Sequence, residues 1–215
     1  MLLYYTTIDT PCGEAIWNRH FEMLSPECMK RNMLYEHKVE KKRHLLGRLL
    51  LHSGFSALGA AINPLENIQY NMFDRPFVKG DIDFNISAAG KYVVCAMGKN
   101  IRLGIDVEPY IQNDIAYYKH TMSEAQWQEI ILSEQPGREF INRWTVKESV
   151  IKAVGNGIYN KRMADIVIDA TAGTATYAGM TWYLHFPGLD DEHQVCLSTD
   201  HVIKELCIKE LNFFQ

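Results

Sequence analysis

Residues 83–108 read DFNISAAGKYVVCAMGKNIRLGIDVE. Three β-rich runs, Asp83 to Ser87, Tyr92 to Met97 and Ile101 to Glu108, are separated by Ala-Gly and Gly-Lys-Asn breaks. Short apolar runs bounded by turn residues are the pattern of consecutive antiparallel strands. Working outward, residues 2–8 (LLYYTTI) are rich in β-formers and predict a first strand. Ser25-Pro26-Glu27 predicts a helix start, with the serine as cap and proline in the first turn. From Glu36 to Ile62 the spacing is helical: Leu45, Leu46, Leu49, Leu50 and Leu58 recur near every 3.6 residues, while Lys38, Lys41, Lys42, Arg43 and Arg48 supply the charge of a solvated face. Asn63-Pro64 stops that helix, and a short strand over Ile68 to Phe73 precedes the turn Asp74-Arg75-Pro76. Beyond the quoted stretch, Ile115 to Leu132 and Arg138 to Val154 read as helices. Residues 164–170, 174–177, 181–186, 194–198 and 203–208 read as strands. Helices then strands in each half predict an α+β fold of two lobes, 1–109 and 110–215, each an antiparallel sheet packed with helices.

Composition narrows the function. Of the 215 residues 47% are hydrophobic and 22% charged, globular values that exclude a disordered or fibrous chain. Lys plus Arg number 22 against 26 Asp plus Glu, a net charge of -4, so no global cationic field exists to hold nucleic acid. The five cysteines are scattered and form no C-x-x-C pair, which predicts reduced thiols, a cytoplasmic setting and no zinc knuckle. The most apolar stretch, Leu45 to Ile62, is interrupted by Arg48 and His52 and reads as a core helix, not a membrane span. No basic segment precedes an apolar run at the N-terminus, so no signal peptide is expected.

Two segments carry chemistry. On a strand, Asp106 and Glu108 of GIDVEP share one face while Ile105 and Val107 face the core. From the hexapeptide alone an edge strand with a wet acidic face is the simpler account. In FINRWTVKESVIKAVGNG, residues 140–157, Glu148 and Lys152 are adjacent on one helix face, and Phe140, Trp144, Ile151 and Val154 fill the apolar side. Taken alone, such a pair is an ordinary surface contact worth about 0.3–0.5 kcal/mol. The two segments gain meaning if they meet. Carboxylates at about 4 Å repel by about 4 kcal/mol at an effective dielectric of 20, so three together call for a cation. Hard oxygen ligands suit Mg²⁺, which completes its shell with water and substrate phosphate.

GIDVEP followed by W-T-V-K-E-S-V-I-K resembles the paired signature motifs of the 4′-phosphopantetheinyl transferases, in the surfactin-type, two-lobed class. Leu24-Ser25-Pro26-Glu27, Arg43-His44-Leu45-Leu46-Gly47, Asp74-Arg75-Pro76 and Phe84-Asn85-Ile86-Ser87 fall where that family has its upstream motifs. The resemblance implies a pseudo-dimeric fold, a monomer, and transfer of the phosphopantetheine arm of coenzyme A to a serine of an apo acyl or peptidyl carrier protein, with release of adenosine 3′,5′-bisphosphate. It implies Asp106, Glu108 and Glu148 as Mg²⁺ ligands, Glu148 as general base, and Lys152 as the cation on the departing phosphate. Arg31, Arg43, His44, Arg75 and Ser87 then match the coenzyme contacts. The segment from Ile111 to Trp127, with Tyr117, Tyr118 and Met122, is a candidate carrier dock. Two positions depart from the family pattern: Ala88 stands where a histidine is usual, and Cys28 where a basic residue is usual. Losing a hydrogen bond to a charged group predicts about ten- to hundredfold weaker coenzyme binding unless another cation compensates. These departures motivate an alternative, a non-catalytic coenzyme or carrier-protein binding module.

Overall fold

A computed structural model describes residues 1–110, 115–155 and 163–214. In chain order its elements are β1 (Leu2–Thr7), α1 (Glu14–Phe21), α2 (Pro26–Leu34), α3 (Lys38–Ala57), α4 (Pro64–Asn67), β2 (Gln69–Tyr70), β3 (Pro76–Phe77), β4 (Ile82–Ala89), β5 (Tyr92–Lys99) and β6 (Leu103–Pro109). After a 3-10 turn (Ile115–Thr121) come α5 (Glu124–Ile131) and α6 (Pro136–Val154). A second 3-10 turn (Met163–Asp165) leads to β7 (Val167–Asp169), β8 (Thr174–Tyr177), β9 (Met180–His185), β10 (His193–Thr199) and β11 (Cys207–Glu210).

The α+β expectation holds, with two main sheets of order β11-β1-β5-β4 and β6-β10-β9-β8-β7. They stack as the inner layers of an α3, sheet, sheet, α6 sandwich. Leu45, Leu46, Leu49, Leu50 and Phe55 of α3 meet Phe84, Val93, Cys95 and Met97 on one face of the first sheet. Its other face, with Leu3, Val94 and Ala96, packs on Ile105, Val107, Val195 and Leu197 of the second. Val146, Val150, Ile151 and Ala153 of α6 cover the remaining face against Cys196, Trp182 and Leu184. Strand β5 is thus apolar on both faces, which is why YVVCAM shows no alternation.

The third β-run of residues 83–108 pairs differently from the sequence expectation. Strands β4 and β5 form the anticipated hairpin, but β6 lies antiparallel to β10, with Leu103 opposite Thr199 and Pro109 opposite His193. The reason is that β5 already has β1 and β4 on its two edges. Strand β4 meets the free edge of β6 through side chains instead: Asp83 Oδ2 accepts the Leu103 N–H at 3.0 Å and Asn85 Oδ1 the Ile105 N–H at 3.0 Å. Conversely β11 returns to the first sheet, parallel to β1 with Leu2 opposite Cys207.

Local chemistry sets the other differences. The helix expected over Ile115 to Leu132 divides, because Ser123 and Gln126 form a capping box that starts α5 afresh. Helix α1 has no fully buried residue, so no apolar period announced it. Helix α6 starts with Pro136 in its first turn and stops at Gly155, whose φ of 70° is left-handed.

Candidate active site

Strand alternation turns Asp106 and Glu108 away from the first sheet and towards α6, where Glu148 and Lys152 stand one turn apart. The Asp106 side chain is buried, and its Oδ1 accepts from Lys152 Nζ at 2.5 Å and from Ser87 Oγ at 2.9 Å. Lys152 Nζ also donates to Ser87 Oγ at 2.9 Å. Asp106, Glu108, Glu148 and Lys152, expected at the centre, and Ser87, expected as a coenzyme contact, therefore come from β6, α6 and β4 to one place. Residues 156 and 157, the end of the second signature segment, lie outside the described residues.

The charges are strongly perturbed. Burial, then the neighbouring Asp106, pushes the Glu108 carboxyl up to about 7, against the pull of Lys152 and of the nearby Trp144 N–H. Glu148 is raised by burial, an effect that Lys152 opposes and Asp106 reinforces. For Lys152, burial works against the charge, yet Asp106, Glu148 and Glu108 together hold its pKa above the ordinary lysine value. Asp106 Oδ2 is buried with no hydrogen-bond partner. An orphaned carboxylate oxygen, with two further carboxylates sensing its charge, is a donor set that fits a hard divalent cation. Among the described residues, the group whose ligand atoms lie within 4.8 Å of one another is a different one, Asp190, Glu192 and His193. There the Lys91 ammonium already sits 2.9 Å from Asp190. The three cleft carboxylates stand wider apart, with Lys152 on Asp106.

The coenzyme-side residues are engaged within the protein. Arg31 pairs with Glu27 at 3.0 Å and Asp74 at 2.8 Å and stacks over the Tyr70 ring at 3.4 Å. Arg43 pairs with Glu40 at 2.7 Å and donates to the Gly90 carbonyl in the β4–β5 turn. Arg75 binds both oxygens of Asp83, at 3.0 and 2.9 Å, and the Leu103 carbonyl at 3.0 Å. Cys28 is fully buried, and Ala88 is half-buried against the α3 core. In the expected docking segment, residues 111–114 lie outside the described residues. Tyr117 is exposed, Tyr118 packs edge-on to Trp144, and Met122 and Trp127 are buried.

Three residues take places that sequence reasoning missed. Trp144, expected on the apolar side of α6, packs there and also lies close enough to Glu108 for its indole N–H to favour the carboxylate. Lys147 is fully buried, donates to the Met163 carbonyl at 2.6 Å, and has its pKa lowered to about 8 by burial and by Arg143. Arg48, expected on the solvated face of α3, is 7% exposed. Its signal was its place among Leu45, Leu46, Leu49 and Leu50.

His44 offers a stability test. Burial, then Arg48 and Arg31, lowers its pKa from 6.5 to about 3. As pH falls below 6.5 the unfolded chain takes up a proton that the folded protein refuses, so this contribution to stability is present above 6.5 and lost towards about 3. Denaturant melts across that window should show a loss on the order of a few kcal/mol, and His44→Gln should flatten it. An identical slope in the variant would assign the loss to other groups.

The sequence pattern of the 4′-phosphopantetheinyl transferase superfamily matches residues 102–205. The 4′-phosphopantetheinyl transferase gsp of Aneurinibacillus migulanus is 36% identical over 162 residues, 73% of this chain and 67% of that protein. The chain belongs to this superfamily. The 4′-phosphopantetheinyl transferase Sfp of Bacillus subtilis (strain 168) is 26% identical over 162 residues, 74% of the chain and 72% of Sfp. A solved holo-[acyl-carrier-protein] synthase from Thermotoga maritima overlays 46% of this chain and 62% of its own at a TM-score of 0.35 and 18% identity. The span matched to the phosphopantetheinyl transferase superfamily runs from β6 to just before β11 and includes Asp106, Glu108, Glu148 and Lys152. No described helix of this phosphopantetheinyl transferase is long and apolar enough to cross a membrane.

Proposed function

We propose that this phosphopantetheinyl transferase moves the 4′-phosphopantetheine arm of coenzyme A to a serine hydroxyl of an apo acyl or peptidyl carrier protein, releasing adenosine 3′,5′-bisphosphate. The observation that carries the reading is the Lys152–Asp106–Ser87 contact, with the buried Glu148 one helical turn from Lys152. Asp106, Glu108 and Glu148 would hold Mg²⁺, which when bound draws charge from the pyrophosphate oxygens. Glu148, its affinity for protons raised by burial, accepts the serine proton. The serine Oγ–phosphorus bond forms as the bond from that phosphorus to the bridging oxygen breaks. Lys152 leaves Asp106 to hold the departing phosphate. Ser87 orients Lys152 and Asp106 together. Arg31, Arg43, His44 and Arg75 would serve the coenzyme side, phosphate taking the place of the present partners of the three arginines. The lobes 1–109 and 110–215 would act as a cytoplasmic monomer.

The uncharged Cys28 and Ala88 favour one other reading, a coenzyme or carrier-binding module without turnover. Base and cation at helical spacing weigh against it, since binding alone needs no such pair.

Intact-protein mass spectrometry decides between them. Apo carrier protein incubated with this chain, coenzyme A and Mg²⁺ should gain about 340 Da, the phosphopantetheine increment of the proposed chemistry, and EDTA should abolish the gain. Absence of the gain on several carriers, with coenzyme binding retained, would favour the binding module.

A further inference from the structure

Between the first half of α6 and the outer strands of the second sheet lies a cavity of about 580 Å³. Small-molecule sites span about 300–1,000 Å³, so this one has room for a ligand. Val146 lines it, and Glu148, two residues on, points to the opposite flank of the helix. The cavity therefore stands apart from the carboxylate centre. Val146, Ile168 and Leu184 give it an apolar wall, and the Phe186 ring at its lining is 53% exposed. An aromatic ring left half in water beside an apolar wall gains by covering with an apolar ligand.

The polar lining is unevenly matched. Arg143 is neutralised, pairing with Glu129 at 2.8 Å and Glu139 at 2.7 Å. Arg138 is exposed and makes no ion pair among the described residues. Its guanidinium lies 3.8 Å over the Tyr110 ring, a contact that holds the charge at the cavity instead of letting it swing into solvent. Tyr110 is fixed in turn, its Oη meeting Asn142 Oδ1 at 2.9 Å and Gln194 Oε1 at 2.5 Å. Both amide oxygens are thereby taken up, and the Asn142 NH₂ has no acceptor among the described residues. This end of the cavity offers hydrogen-bond donors and one uncompensated positive charge.

We infer that the cavity binds a small monocarboxylic acid with an apolar body. Arg138 and the Asn142 amide hold the carboxylate, and the chain of the acid lies against Val146, Ile168, Leu184 and Phe186. One carboxylate matches one free guanidinium, whose planar fork suits its two oxygens. A phosphate dianion would bring surplus negative charge beside Glu129 and Glu139, and an uncharged alcohol would leave Arg138 unmatched. None of the proposed coenzyme contacts, Arg31, Arg43, His44, Arg75 and Ser87, lines this cavity, so the acid and the coenzyme do not compete.

Calorimetric titration of the full chain with octanoate, 1-octanol, octyl phosphate and acetate tests this. Octanoate should bind about ten- to hundredfold more tightly than 1-octanol, the worth of hydrogen bonds to a charged group. Octyl phosphate should bind more weakly than octanoate, and acetate, which has no chain, should give no measurable heat. Arg138→Gln, at an exposed position that the fold tolerates, should lower octanoate to the affinity of 1-octanol. Phe186→Ser should weaken both together. Saturating coenzyme A should leave octanoate binding unchanged. The assignment is overturned if the wild type does not bind octanoate, if octyl phosphate binds more tightly, if Arg138→Gln keeps the wild-type preference, or if coenzyme A displaces the acid. The transferase reading stands or falls separately, on the carrier mass shift.

Discussion

Replacing Glu148 with glutamine is expected to lower phosphopantetheine transfer by at least about a hundredfold, the scale of a lost general base, while the protein stays folded. The side chain is buried, and burial together with Asp106 disfavours its charge, so a neutral amide of the same shape costs the fold little. Lys152 would lose one attraction but keep its 2.5 Å contact with Asp106. Transfer rates from carrier mass shift, measured beside thermal melts, separate the two effects. Turnover near the wild-type rate in a folded Glu148→Gln protein would remove Glu148 from the proton-transfer role.

Gly104→Ala should do the opposite, striking fold and activity together. A Cβ at Gly104 would stand 2.1 Å from the Ser149 carbonyl oxygen and 2.3 Å from the Ala153 amide nitrogen. Both are backbone atoms of α6, so no side-chain rotation relieves the clash; helix and strand must separate. Overpacking of this kind costs about 3 kcal/mol or more, which for a chain of this size lowers Tm by about 6–12 °C. The separation also moves Glu148 and Lys152 away from Asp106, so transfer should fall below what the loss of folded protein explains. A variant that melts and turns over like the wild type would mean that β6 and α6 are not held at this spacing in solution.

The centre of the site was legible because its residues follow local periods. Asp106 and Glu108 alternate along a strand, Glu148 and Lys152 are one helical turn apart, and both periods survive folding unchanged. The sheet that β6 joins was not legible: strand pairing is a competition among distant edges, and β1 had already taken the place beside β5. Nor were the partners of Arg31 and Arg75, since Asp74 and Asp83 are ordinary turn and strand residues until the fold brings them within 2.8 and 2.9 Å. Arg48 was misplaced for a related reason. A charged residue in a leucine-rich helix has no period of its own, and only the packing of Tyr70 above α3 decides that it points inward.

Asp83, Asn85 and Ser87 form a row along β4, the first two bonded to alternate amides of β6 and the third to Asp106 itself. Because rungs recur every second residue, the sheets have no stable register closer than about 7 Å from the present one. Sliding of one sheet along the other is therefore blocked. A relative motion of the two sheets that keeps these three bonds is confined to rotation about this row, with Ser87 near the pivot.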